Sequence, residues 1–143
     1  MVYFVRVAAQ RPDFRLVLAF VWGDINVDTD GNSDHPASRE WTELYARNRD
    51  SPGEAFDISP IAADPLVLKV QSELDWLAVA VAYLLAMEAD GKVSRSIDGP
   101  FEPAKTLQQR LYGFDLVASW KRFRDSPYHQ ATADNPYPNL RQV

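Results

Sequence analysis

The chain has 143 residues, of which 46% are apolar, the size and composition of one domain built on one core. It contains no cysteine, which excludes disulfides, thiolate catalysis and zinc held by sulfur. The net charge of −5 is unevenly spread: residues 23–90 hold 14 acids against 4 bases (a local −10), and the rest holds 6 acids against 11 bases (a local +5).

An acidic middle argues against nucleic acid as a partner and suits a face directed at a basic protein. Ordinary differences between strand and helix surfaces account for the same asymmetry without any partner. The opening MVYFVRVAA has neither the charged start nor the long apolar region of a secretory signal, and apolar runs elsewhere are too short to span a bilayer. A cytoplasmic location with no membrane partner is therefore expected.

In residues 2–8, Tyr3, Val5 and Val7 alternate with Phe4 and Arg6, which predicts a strand. Arg11-Pro12-Asp13 marks a turn. Residues 14–22, FRLVLAFVW, are nearly all apolar and rich in β-branched and aromatic types, so a central strand paired with the first is expected. Periodicity does not separate that reading from a short helix. Residues 24–29 place Ile25 and Val27 on one side and Asp24, Asn26 and Asp28 on the other, as in a half-exposed third strand. Residues 30–36 have the composition of a loop.

Ser38 is placed to cap a short helix over residues 39–48, on which Trp41, Leu44 and Tyr45 share a face. Asp50-Ser51-Pro52-Gly53 ends it. Residues 55–58 suit an edge strand stopped by Pro60, and residues 66–71 a strand leading straight into the next element.

That element, over residues 73–90, is the most strongly specified in the chain. Residues 76–87 are uncharged and rich in Ala and Leu, Ser72 can cap the first turn, and Glu73 and Asp75 suit the positive end of the dipole. Gly91 stands where a left-handed C-cap belongs. Leu74, Leu77, Val81, Leu84 and Leu85 form a stripe beside a ridge of Ala78, Ala82, Ala86 and Ala89, so this central helix should be buried on most sides. Residues 92–97 read as a short strand, Asp98-Gly99-Pro100 as a turn, and Pro103 as the first turn of another helix. There Leu107, Leu111, Phe114 and Ala118 share a face, whereas Leu116, Trp120 and Phe123 fall half a turn away. The phase changes at Gly113, which predicts two helices. Residues 126–143 carry three prolines and no periodicity, so an irregular tail should follow a single domain over residues 1–125. The fold expected is α+β, a mainly antiparallel sheet packed on one face by the long central helix and the C-terminal helices.

Few residues carry chemistry by their spacing. Asn26-x-Asp28-x-Asp30-Gly31-x-x-Asp34 has the alternating oxygens and glycine of a calcium loop, but its twelfth position is Ala37 where a bidentate acid belongs. A polar strand face entering an Asp-Gly turn explains the same letters. His35 and His129 lack a neighbouring nucleophile motif and read as surface residues. Carboxylates such as Asp57, Asp64 and Asp98, near inferred strand ends, could pair only in three dimensions. Trp120-Lys121-Arg122-Phe123-Arg124 interleaves bases and aromatics, yet an amphipathic surface helix accounts for it. No metal, cofactor or catalytic residue is expected.

The succession LVLKVQS, DWLAVAVAYLLAMEADG, KVSRSI over residues 66–97 resembles the centre of the small immunity proteins of bacterial polymorphic-toxin systems. The resemblance is one of residue types, carries no fixed functional residues, and implies an acidic, non-catalytic protein that binds and blocks one toxin. Charge points to Asp24, Asp28, Asp30, Asp34, Glu40 and Glu43 as the partner-binding surface, with Trp41 or Tyr45 as an apolar anchor. A small carboxylate-dependent hydrolase or ligand-binding enzyme is the alternative, and an oligomer-forming accessory protein a third.

Overall fold

Alternation with a period of two decides which side of each strand meets the helices. A computed structural model describes residues 1–23, 27–33, 38–111 and 117–118. The elements run β1 (Val2–Arg6), α1 (Phe14–Trp22), β2 (Val27–Gly31), β3 (Leu44–Asn48), β4 (Ala55–Ala63), β5 (Leu66–Gln71), α2 (Asp75–Glu88), β6 (Lys92–Ser94), β7 (Glu102–Pro103) and a 3₁₀ helix (Ala104–Arg110). The strands form a seven-stranded sheet in the order β2-β3-β4-β5-β1-β6-β7, antiparallel throughout. The class is α+β. Register aligns Tyr3 with Val70, Val5 with Leu68 and Val93, and Ile58 with both Leu44 and Val70. These side chains, with Ala46 and Phe56, are buried and make the sheet's contribution to the core. α2 packs against β1, β4, β5 and β6, with α1 and the 3₁₀ helix alongside it.

α2 has 14 residues, about 21 Å at ~1.5 Å per residue, and is shorter at both ends than residues 73–90. Residues 77–86 are all buried. Its ends differ from expectation. Leu74 is the N-cap, and no side chain caps the helix. Ser72 instead holds the strand-to-helix corner, its hydroxyl donating to the Ala55 carbonyl (2.7 Å) and accepting from the Leu74 N–H (3.1 Å). At the C-terminus Asp90 takes the left-handed conformation (φ 49°), while the Gly91 N–H closes back onto the Ala86 carbonyl at 2.8 Å. Gly91 is required for space: a Cβ there would lie 2.6 Å from the Arg6 carbonyl oxygen of β1.

Two elements reverse the expected type. Residues 14–22 are helix α1, not a strand beside β1. Both edges of β1 are taken, by β5 and β6, so no slot remains for a hairpin partner. The Asp13 carboxylate accepts from the Arg15 N–H (3.0 Å) and pairs with its guanidinium (2.6 Å), and Gly23 closes the other end at φ 71°. Leu16, Val17, Leu18, Phe20 and Val21 are buried, with Phe20 stacked on Tyr83 of α2 at 6.4 Å between centroids. Conversely, the helix expected over residues 39–48 is an extended segment leading into β3. Leu44, Ala46 and Asn48 are buried while Tyr45 and Arg47 are exposed, a period of two that the sheet face imposes.

β4 is longer than residues 55–58 and lies inside the sheet. It runs through Pro60, past the last register position with β3 at Ile58, and shifts register against β5 between Pro60 and Ala62. β2 is described over Val27–Gly31 and includes Asp30 and Gly31, whose composition is that of a loop; residues 24–26 of the expected strand lie outside the described residues. The C-terminal helix is of 3₁₀ type, follows Pro103 and ends at Arg110. The break at Gly113, the second helix apart from Val117 and Ala118, which are helical, and the tail over residues 126–143 lie outside the described residues. No helix among the described residues is long and apolar enough to cross a membrane.

Candidate functional site

With the helices on one side, the strands present their alternate side chains on the other. Across β2, β3, β4 and β5 the register aligns Asp30, Tyr45, Asp57 and Gln71 in a single row, and all four are exposed. Adjacent strands are about 4.8 Å apart, which puts the Asp30 and Asp57 backbones roughly 10 Å from each other with the tyrosine between them. Tyr45 is 40% exposed. Among the described residues neither Asp30 nor Asp57 forms an ion pair with a base.

The neighbouring row is neutralised. Asp28 stands opposite Arg47 in the register and accepts from it at 2.8 Å, and also from Arg49 Nε at 2.6 Å. Hydrogen bonds from Arg49 and then Arg47 hold its carboxyl below the ordinary carboxylate range, and Asp28 in turn raises Arg47. Gly31 of the calcium-like pattern also has structural work. A Cβ at Gly31 would fall 2.3 Å from the Glu43 carbonyl oxygen, so close approach of the two strands requires glycine there. The Asn32 side chain accepts from the Thr42 and Glu43 N–H groups (2.8 and 2.9 Å) and donates to the Thr42 hydroxyl (2.8 Å), closing the loop between β2 and β3. Asn26, Asp34 and Ala37 lie outside the described residues. No group of three or more His, Asp or Glu among the described residues could hold a metal ion.

The expected surface is thus partly assembled and partly not. Asp28 and Asp30 lie on β2, Glu43 just before β3 and Tyr45 on it, and Glu40 is exposed in the preceding segment. Asp24, Asp34 and both histidines lie outside the described residues, as do residues 120–124. Trp41 is not a surface anchor. It is 1% exposed, its indole N–H donates to the Pro12 carbonyl (2.8 Å), and its own carbonyl accepts from Arg11 Nε (2.7 Å). Arg11 and Arg39 complete this staple, since the Arg11 N–H donates to the Arg39 carbonyl and Arg39 Nε to the Arg11 carbonyl. Burial pushes the Arg11 guanidinium below its ordinary value, against the opposing pull of Glu40.

No family model, curated protein or solved structure matches the chain.

Of the carboxylates near the inferred strand ends, Asp57 and Asp64 stay apart. Asp57 lies within β4 and Asp64 in the turn after it, roughly 20 Å away at ~3.3 Å per residue, and Asp98 is in the turn after β6. Sequence reasoning missed Asp57 as a member of the acidic face because that residue joins Asp30 only through register. The alternation Leu44-Tyr45-Ala46-Arg47-Asn48 was the available signal for β3 and hence for the row.

Proposed function

We propose that the protein is a non-enzymatic binding module of immunity type, which takes a basic protein partner on the open face of β2, β3 and β4 and acts in the bacterial cytoplasm. The observation that carries this reading is the row Asp30, Tyr45 and Asp57: an exposed aromatic ring between two carboxylates that form no ion pair among the described residues. A lysine or arginine of the partner can lie over the ring and bond the flanking carboxylates, and the surrounding acids raise the encounter rate. A toxin domain is the partner class that the pattern over residues 66–97 suggests.

The test uses the product of the reading frame adjacent to this gene, with binding kinetics followed at several salt concentrations. Asp30→Lys and Asp57→Lys should slow association and flatten its salt dependence, whereas Tyr45→Ala should speed dissociation by about tenfold or more. Binding that is indifferent to all three changes would refute this face as the interface.

A further inference from the structure

The opposite side of the molecule holds a cluster of a different sign. Tyr3 of β1 is buried, yet its hydroxyl oxygen is shared by two guanidinium groups that reach it from distant parts of the chain. Arg95, just after β6, donates from Nη1 at 3.0 Å and lies over the tyrosine ring, 4.7 Å from the centroid. Arg110, at the end of the 3₁₀ helix, also donates to the hydroxyl and pairs with Asp75 at the start of α2. Two cations that converge on one oxygen lie within about 6 Å of each other, the sum of two hydrogen-bond lengths. They repel, and among the described residues Asp75 is the one carboxylate bonded to the pair. The cluster carries a net +1, and Arg95 forms no ion pair among the described residues.

We propose that Arg95 and Arg110 form a binding site for a phosphate-class oxyanion. Both guanidiniums are held in place before any ligand arrives, one by the ring beneath it and one by Asp75, so little side-chain freedom is lost on binding. Both side chains are also exposed, Arg110 with 42% of its side-chain surface accessible. A planar fork of N–H donors matches the oxygens of phosphate, and a tetrahedral anion has enough oxygens to bridge two forks where a carboxylate has only two. The site is independent of the acidic face, on which neither arginine lies.

Inorganic phosphate is the probe. Titrated into the full chain at constant ionic strength, with chloride as the balancing ion, it should give saturable shifts of the Arg95 and Arg110 Nε–H NMR signals and raise Tm. Acetate should bind at least tenfold more weakly. Arg95→Gln should weaken phosphate binding by about tenfold or more with little change of Tm in chloride, because its side chain is exposed and forms no ion pair among the described residues. Arg95→Lys, which keeps the charge but not the fork, should fall between the two and serves if the glutamine variant does not fold. Equal Tm shifts in phosphate and chloride, equal affinity for acetate, or undiminished binding in the Arg95 variants would each overturn the assignment.

Discussion

Glycine and aspartate positions show how single side chains decide local geometry here. Gly91→Ala places a methyl 2.6 Å from the Arg6 carbonyl oxygen, and backbone on both sides must move. It should cost about 1–3 kcal/mol in urea unfolding, the usual range for forced overpacking. Gly53→Ala meets nothing within 4 Å, so it should change stability by less than about 1 kcal/mol and serves as the control. Asp28 predicts a pH dependence. Its folded pKa is depressed by hydrogen bonds from Arg49 and Arg47, so its contribution is complete above the ordinary carboxylate value and is lost as pH falls through the lower folded value. The Tm difference between wild type and Asp28→Asn should therefore be present near neutrality and vanish in acid. The same pairing occupies the Asp28 carboxylate, so a chelator is expected to leave Tm unchanged. A calcium-dependent rise in Tm that disappears in Asp28→Asn would reverse that conclusion.

At the scale of elements, α2 is the support of the fold because the sheet lies beneath it and α1 and the 3₁₀ helix lie alongside. Leu77 and Leu84 are fully buried, and truncating either to alanine should cost about 2–5 kcal/mol. Ala82 is equally buried, so Ala82→Leu should destabilise through overpacking. Wild-type melting in all three variants would contradict the packing described. α1 depends more on its ends. It has nine residues, too few for a stable helix in isolation, and its Asp13 cap should be worth about 1 kcal/mol, measurable in Asp13→Ala. β-branched and aromatic composition made residues 14–22 look like a strand. Pro12-Asp13 at one end and Gly23 at the other suit a helix but bound a strand equally well, so the ends by themselves do not separate the two readings.

Taken whole, the molecule has one covered sheet face and one that carries its charges in rows. Asp30, Tyr45 and Asp57 come from three strands and meet only because β3 pairs with both β2 and β4. Tyr3, Arg95 and Arg110 meet across 107 residues of chain. Local pattern was sufficient for β1, β5 and α2, whose patterns are complete within five to fourteen residues, and for the α+β class that follows from them. The acidic bias of residues 23–90 was also legible, because charge is additive along a chain. It was not legible that Asp28 is neutralised, that Trp41 is core, or that residues 14–22 are a helix. Each of those depends on what already occupies the neighbouring space: Arg47 and Arg49 beside Asp28, Pro12 and Arg11 around Trp41, and β5 and β6 on the two edges of β1. Periodicity states which residues of a segment want burial. Pairing and packing decide which partners are left to bury them.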